Sequence, residues 1–285
     1  MRGLILAGGS GRRLRPLTHT SAKQLVPIAN RPILHYVIDD LVGVGITDIG
    51  IVVGDTAAEI VASVGDGSAW GATVTYIEQD EPLGLAHAVL IAESFLGDSP
   101  FVMYLGDNMF ADSLEPVVAG FDGCSAEARL LLAEVANPSA FGVAEMNAVG
   151  GIVALVEKPE QPPSNLALVG VYLFGPRIHE AVRAIAPSAR GELEITDAIQ
   201  WLIDQDGVVE HHVLEGWWID TGKKDPLLRC NELVLETISA SVEGVVNEGS
   251  NLDGLVRVEQ GAEVMDSVLI GPLIVGAGAL ISGST

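Results

Sequence analysis

Cysteine is nearly absent from this chain, lysine is scarce, and uninterrupted apolar runs are short. Two cysteines, Cys124 and Cys230, in 285 residues make neither a disulfide framework nor a zinc-ligand spacing. Nothing argues for an oxidising compartment, so the cytoplasm is the expected location. No apolar run reaches the roughly 20 residues of a membrane span, and the first one meets glycine too soon for a signal peptide. Fifteen Lys and Arg stand against 38 Asp and Glu, a formal charge of −23. That acidity excludes general DNA or RNA binding, which needs a basic face. Carboxylates, though, are missing before Asp39, and that same stretch carries Arg2, Arg12, Arg13, Arg15, Lys23 and Arg31. A cationic cluster inside an acidic chain points to a polyanion site.

The cluster surrounds a glycine loop. Residues 3–7 are an apolar strand that empties into Gly8-Gly9-Ser10-Gly11. Glycines at a strand exit let backbone N–H groups turn outward and cradle an anion. Two familiar phosphate loops fail the test of spacing. A Walker loop needs Gly-Lys-Ser/Thr, which the loop lacks. A dinucleotide fingerprint counted from Gly9 and Gly11 needs a third glycine where Leu14 stands, and an acid about twenty residues on that is absent.

Downstream the pattern alternates. Helices are expected over 32–44, 56–64 and 85–95, the second opened by a Thr56/Glu59 capping box. Strands are expected over 48–53, 73–77 and 101–105. Strands apolar throughout and separated by helices predict a parallel sheet covered on both faces. Ligands then bind beyond the carboxyl ends of the strands, so the glycine loop and Gly106-Asp107-Asn108 should share one rim. From residue 128 the strands (130–135, 141–146, 152–157, 167–174) follow one another without long helices, as in mixed or antiparallel sheet. Helices over 176–185, 194–203 and 226–239 and a strand over 208–214 follow. After Gly244, Val258, Val264, Ile270, Val275 and Ile281 recur at steps of five or six, the period of a left-handed parallel β-helix. The domains are therefore set at 1–243 and 244–285. The second lacks a capping element and is expected to be incomplete or covered by another subunit.

Five ordered motifs now carry a resemblance. Leu6-Ala7-Gly8-Gly9-Ser10-Gly11-Arg12-Arg13-Leu14-Arg15-Pro16 with Lys23-Gln24-Leu25-Val26-Pro27, then Gly106-Asp107-Asn108, Glu157-Lys158-Pro159 and Trp218-Ile219-Asp220-Thr221-Gly222, resemble the sugar-1-phosphate nucleotidyltransferases. Ala22-Lys23-Gln24, Ile77-Glu78-Gln79, Gly84-Leu85-Ala86-His87-Ala88 and the run from Gly191 to Asp197 are most similar to the glucose-1-phosphate thymidylyltransferases, and the tail to their longer form. The implied fold is α/β, a Rossmann-like nucleotidyltransferase sheet with helices on both faces followed by the β-helix. The implied reaction joins dTTP and glucose 1-phosphate into dTDP-glucose and pyrophosphate, for deoxysugar biosynthesis.

The resemblance also implies roles. Arg13, Lys23 and Asp107 would be catalytic, the two cations stabilising the α-phosphate and the leaving pyrophosphate. Leu6, Gly8, Gly9, Gly11, Arg13, Gln24, Gln79, Gly84 and Asp107 would bind the nucleotide. A glutamine amide offers both a donor and an acceptor, which suits the imide edge of thymine or of uracil. Asn108, Gly142, Glu157, Lys158, Val169, Gly170 and Tyr172 would hold the sugar phosphate. Asp107 and Asp220 would hold Mg²⁺, which favours hard oxygen ligands. Arg12 departs from the family, which usually has Thr there, and has no assigned role. A UTP-using or other sugar-1-phosphate enzyme and a non-catalytic regulatory homologue remain alternatives. An acyltransferase tail is disfavoured, since no His follows His212. A bare solenoid edge implies a homo-oligomer, a dimer or a tetramer.

Overall fold

The computed structural model describes every residue except Ser10, Arg12, Arg13, Leu17, His19, Thr20 and Ser21. Strand β1 (Arg2–Leu6) leads through the glycine loop to a small hairpin, β2 (Pro27–Ile28) and β3 (Arg31–Pro32). Then come α1 (Ile33–Gly43), β4 (Asp48–Val53), α2 (Ala57–Val64) and β5 (Thr73–Glu78). These are followed by α3 (Leu85–Ile91), α4 (Glu93–Leu96), β6 (Phe101–Leu105), β7 (Asn108–Phe110) and α5 (Glu115–Val118). The second half runs β8 (Ala128–Glu134), β9 (Gly142–Met146), β10 (Ile152–Glu157), β11 (Leu166–Phe174), α6 (Ile178–Ala184), α7 (Ile195–Asp204), β12 (Val209–Val213), β13 (Trp218–Asp220) and α8 (Lys224–Leu235).

Nine strands make one mixed sheet in the order β10-β9-β11-β6-β1-β4-β5, with β8 joined to β11 and β12 joined to β8. Strands β6, β1, β4 and β5 are parallel, while β11 runs antiparallel to β6. Alternate residues of a strand face opposite sides, and each side has its own core. Leu4 and Met103 pack with α3, α6 and α7; Ile5, Val102 and Tyr104 pack with α1 and α2. The expected two-sided parallel sheet, extended by antiparallel strands, is what forms. Because β1 pairs with β6, with Leu6 opposite Leu105, their carboxyl ends share one rim. Gly106 N–H donates to Leu6 O at 3.0 Å across it.

Several local expectations change. The helix expected over 85–95 is divided into α3 and α4 at Ala92, and α8 spans 224–235 rather than 226–239. The capping box does not form: the Thr56 side chain makes no cap hydrogen bond. Glu59 Oε2 instead accepts from Ala22 N–H at 2.7 Å, so a longer-range partner outcompetes the local one and anchors the turn that carries Lys23. Among the described residues, three cations of the opening stretch find carboxylates. Arg2 Nε donates to Asp48 at 2.8 Å, Arg31 pairs with Asp39, and Lys23 pairs with Asp107. Arg2, at the amino end of β1, lies at the wrong end of that strand to serve the rim.

The tail forms eight short strands: β14 (Ser241–Val242), β15 (Val245–Val246), β16 (Asn251–Asp253), β17 (Val256–Val258), β18 (Glu263–Met265), β19 (Val268–Ile270), β20 (Leu273–Val275) and β21 (Leu280–Ser282). They stack as three parallel sheets, β14-β17-β20, β15-β18-β21 and β16-β19, an arrangement that fits a β-helix. The pairing of Val258 with Val275 and of Val264 with Ile281 sets a coil of 17 residues. The inward residue between them is Leu269, not Ile270, which is 65% exposed. The five-residue step thus falls one side earlier than the spacing of aliphatics indicates. Polar stacking follows the same coil: Ser267 N–H donates to Ser250 Oγ, and Ser284 N–H to Ser267 Oγ, each at 3.1 Å.

Candidate active site

A cleft of about 460 Å³ opens over the carboxyl ends of β1 and β6. Its floor is the rim just described. Leu6, Gly8 and Gly9 come from the end of β1, Lys23 and Gln24 from the turn anchored by Glu59, and Asp107 and Asn108 from the end of β6. Gly9 is shaped for its neighbour, since a Cβ there would lie 2.8 Å from Lys23 Cε.

Two polar pairs organise that floor. Lys23 Nζ donates to Asp107 Oδ2, holding a cation and a carboxylate side by side in a largely buried place. The ribbon β13–β7 sets Asp220 opposite Asn108, and both Thr221 N–H and Thr221 Oγ1 donate to Asp107 O, at 3.0 and 2.7 Å. So Asp220, over a hundred residues from Asp107 in sequence, joins it in the cleft lining. Trp218 Nε1 donates to Asn108 Oδ1 at 2.7 Å, and Asn108 Nδ2 faces Asp107 at 3.2 Å. Trp218 therefore fixes the Asn108 amide.

Gln24 is 1% exposed, and both ends of its amide lack a hydrogen-bond partner among the described residues. Leaving a buried amide unpaired costs about 1–3 kcal/mol per group, a cost that a ligand able to donate and accept would remove. On the neighbouring wall, Gln79, Pro82, Gly84 and Leu85 line the cleft. Gly84 takes φ +106°, and a Cβ there would lie 2.4 Å from Leu193 O. Leu193 N–H donates to Leu83 O at 2.7 Å, so this loop is pinned by the segment leading to α7.

The opposite end is lined by Gly142, Glu157, Lys158, Leu168, Tyr172, Arg190 and Thr196. Glu157 lies 3.0 Å from Lys158 Nζ and 3.1 Å from Arg190 Nη1, and accepts from Thr196 Oγ1 at 3.4 Å. The carboxylate thus has positive partners while its neighbour Lys158 stays 44% exposed to the cleft. Burial pushes the Glu194 carboxyl above its ordinary value, though Ser188 Oγ donates to it at 2.8 Å.

Of the residues named from sequence, three do not line the cleft among the described residues. Gly11, at φ +59°, shapes the loop: a Cβ would press on Lys23 Cβ and on Thr18. Val169 is fully buried in the other core, because Leu168, Gly170 and Tyr172 take the cleft-facing side of β11 and Val169 the far one. Its side chain therefore does not reach the cleft expected of it from the motif. Gly170 sits behind Asn108, donating its N–H to Asn108 Oδ1 at 3.4 Å; a Cβ would lie 2.8 Å from Asn108 Cγ. Arg13 lies outside the described residues. Sequence reasoning missed Arg190, Glu192 and Glu194 as lining residues. The motif from Gly191 onward was visible, and the arginine just before it was the signal that went unused.

Two carboxylates at adjacent strand ends, with a lysine between wall and floor, are a donor set for a hard divalent cation carried largely by phosphates. No cluster of three or more His, Cys, Asp or Glu that could hold an ion exists among the described residues.

The fold and this cleft define a nucleotide-transferring enzyme, and the nucleotidyl transferase family pattern matches residues 2–237. The chain belongs to that family. It is 55% identical over 284 residues to the glucose-1-phosphate thymidylyltransferase of Streptomyces griseus, covering 100% of this chain and 80% of that protein. The enzyme of the same name from Streptomyces antibioticus is 55% identical over 285 residues, again with 100% and 80% coverage. A solved Bacillus anthracis chain described as a glucose-1-phosphate thymidylyltransferase, in complex with a sucrose, superposes with a TM-score of 0.78. It is 37% identical, covering 85% of this chain and 97% of that one.

Proposed function

We propose that this chain is a glucose-1-phosphate thymidylyltransferase that makes dTDP-glucose and pyrophosphate from dTTP and glucose 1-phosphate. The observation that carries the reading is one cleft lined by the buried Gln24 amide, which has no partner among the described residues, by Lys23 with Asp107 and Asp220, and by Lys158 with Glu157. Groups suited to a base, to phosphate charge and to a hydroxyl-rich ring thus share one cleft, which supports this reaction.

In the displacement, a phosphate oxygen of glucose 1-phosphate attacks the α-phosphorus of dTTP. The bond to the β-phosphate breaks and pyrophosphate leaves with its electron pair. The nucleophile is already ionised, so no general base is required. Charge repulsion between two phosphates is the obstacle, and neutralisation with in-line positioning removes it. The Gly8 and Gly9 backbone cradles the triphosphate, Lys23 turns from Asp107 toward the reacting phosphate, and Arg13 adds a second cation. Asp107 and Asp220 would hold Mg²⁺, which supplies neutralisation of phosphate charge. Gln24 and Gln79 read the base, with Gly84 and Leu85 as its wall. Gly142, Glu157, Asn108 and Tyr172 surround the hexose, and Lys158 with Arg190 meets its phosphate. Gly11 and Gly170 support this set from behind.

The finer architecture belongs to the same reading: a catalytic unit over 1–243 and a left-handed β-helix over 244–285. The exposed Val242, Val245, Ile270 and Leu280 of the tail support a homo-oligomer, a dimer or tetramer in the cytoplasm. No helix among the described residues is long and apolar enough to cross a membrane. The test is pyrophosphate release from glucose 1-phosphate with a panel of nucleoside triphosphates and Mg²⁺. dTTP should give the highest kcat/KM. A preference for ATP or GTP would overturn the base assignment, and equal use of UTP would widen the product to both pyrimidine sugars.

A further inference from the structure

Gln79 and His87 meet across the loop that carries Gly84. Gln79 directly follows β5, its N–H bonded to Val53 O at 2.8 Å, so its backbone is fixed by the sheet. His87 is the third residue of α3, whose first residue, Leu85, lines the cleft. Gln79 Nε2 lies 3.0 Å from His87 Nδ1. An amide nitrogen donates and cannot accept, so this arrangement requires the neutral ring with Nδ1 as acceptor and its proton on Nε2. The amide oxygen is then turned the other way. A Cβ at Gly8 would lie 3.2 Å from Gln79 Oε1, which puts that oxygen on the glycine-loop side of the cleft.

We propose that His87 is a positioning residue that locks the Gln79 amide with its oxygen toward the base, so that the site accepts pyrimidines bearing a proton on N3 and rejects cytosine. This rests on the reading that Gln79 contacts the base. A thymine or uracil N3–H donates to a fixed acceptor. Cytosine presents a lone pair at the same atom, so two acceptors face one another in a desolvated place. An unpaired or opposed polar contact of this kind discriminates by about tenfold to hundredfold. Without His87 the amide is free to turn over and offer its NH₂ to cytosine N3. Selection between pyrimidines would thus come from a side chain that does not touch the nucleotide.

The test compares kcat/KM for dTTP and dCTP, with glucose 1-phosphate and Mg²⁺, in the wild type and in His87→Leu, His87→Gln, His87→Lys and Gln79→Leu. In His87→Leu the dTTP/dCTP ratio should fall at least tenfold with the KM for glucose 1-phosphate unchanged. His87→Gln, whose carbonyl oxygen can still accept, should restore the ratio. His87→Lys, a pure donor, should turn the amide over and lower the ratio even if His87→Leu fails to fold. Equal losses on both nucleotides in the His87 variants would mean a merely structural role and overturn the inference. So would an unchanged ratio in those variants when Gln79→Leu abolishes it. An unchanged ratio in Gln79→Leu itself would instead overturn the base contact, and the inference with it.

Discussion

Lys23 Nζ donates to Asp107 Oδ2 across the seam between β1 and β6, joining residues 84 positions apart. The pair is mostly hidden from water, its side chains 17% and 11% exposed. Removing one partner of such a pair leaves an uncompensated charge. On the proposed reaction it would also remove a group that acts at the reacting phosphates.

Lys23→Met and Asp107→Asn are therefore each expected to lower kcat by about 10²-fold or more, the scale of a lost charge-stabilising donor. Pyrophosphate release at saturating substrates measures it. Lys23→Met should also lower stability, by about 3 kcal/mol at most given partial exposure, as seen in denaturant unfolding. Chelation of divalent ions should stop turnover in the wild type, and Asp220→Asn should raise the Mg²⁺ concentration needed for half-maximal rate.

Lys158 projects into the far end of the cleft beside Glu157. Lys158→Ala should raise the KM for glucose 1-phosphate by about ten- to a hundredfold, the worth of one charge-assisted contact. The KM for dTTP should move little. A matching rise in both constants in a steady-state titration would show that Lys158 does not separate the two substrates.

Asp40 on α1 is half-buried beneath the sheet and accepts from Tyr104 Oη at 2.8 Å. Burial pushes its carboxyl up to about 6, against an ordinary 3.8. Between these values the native state holds a proton that the unfolded chain has released, so this group stabilises most at the acid end of the window. That stability is lost as pH rises through about 6. The wild type should lose about 1.4 kcal/mol between pH 5 and pH 8 relative to Asp40→Asn, whose amide does not titrate. Urea unfolding of both proteins at the two pH values checks the difference.

Gly84 holds φ +106° with its open side against Leu193. Gly84→Ala would combine a strained backbone with a Cβ 2.4 Å from Leu193 O. A loss of about 1–3 kcal/mol is expected, read as a lower melting temperature. The KM for dTTP should rise as well, because the loop carries the wall beside Gln79.

Much of the framework was legible because it follows from local pattern. Apolar strands separated by helical spacing imply the two-sided sheet, and the rule for parallel sheets implies that the Gly8–Gly11 loop and Asp107 share one rim. Thr56 and Glu59 show the limit. Their spacing is a capping box, but Glu59 finds the Ala22 N–H 37 positions away. The tail shows another: the aliphatic period marked a solenoid, while the choice of Leu269 over Ile270 as the inward residue depends on pairing with the coil below. Val169 fell among the sugar contacts by motif, yet strand alternation at β11 turns it into the core.

The order of the motifs in the amino-acid sequence determined the chemistry on offer: glycines for an anion, scarce cations gathered in one stretch, carboxylates at strand ends and amides near them. Only the tertiary structure decided which of these meet. It paired Lys23 with Asp107, brought Asp220 to them through a two-strand ribbon, added Arg190, and set His87 against Gln79. The physical reason is that a strand or turn fixes only where its own side chains point, within a few residues. A site made from β1, β5, β6, β10, β13 and the start of α7 exists only once the sheet has set their register.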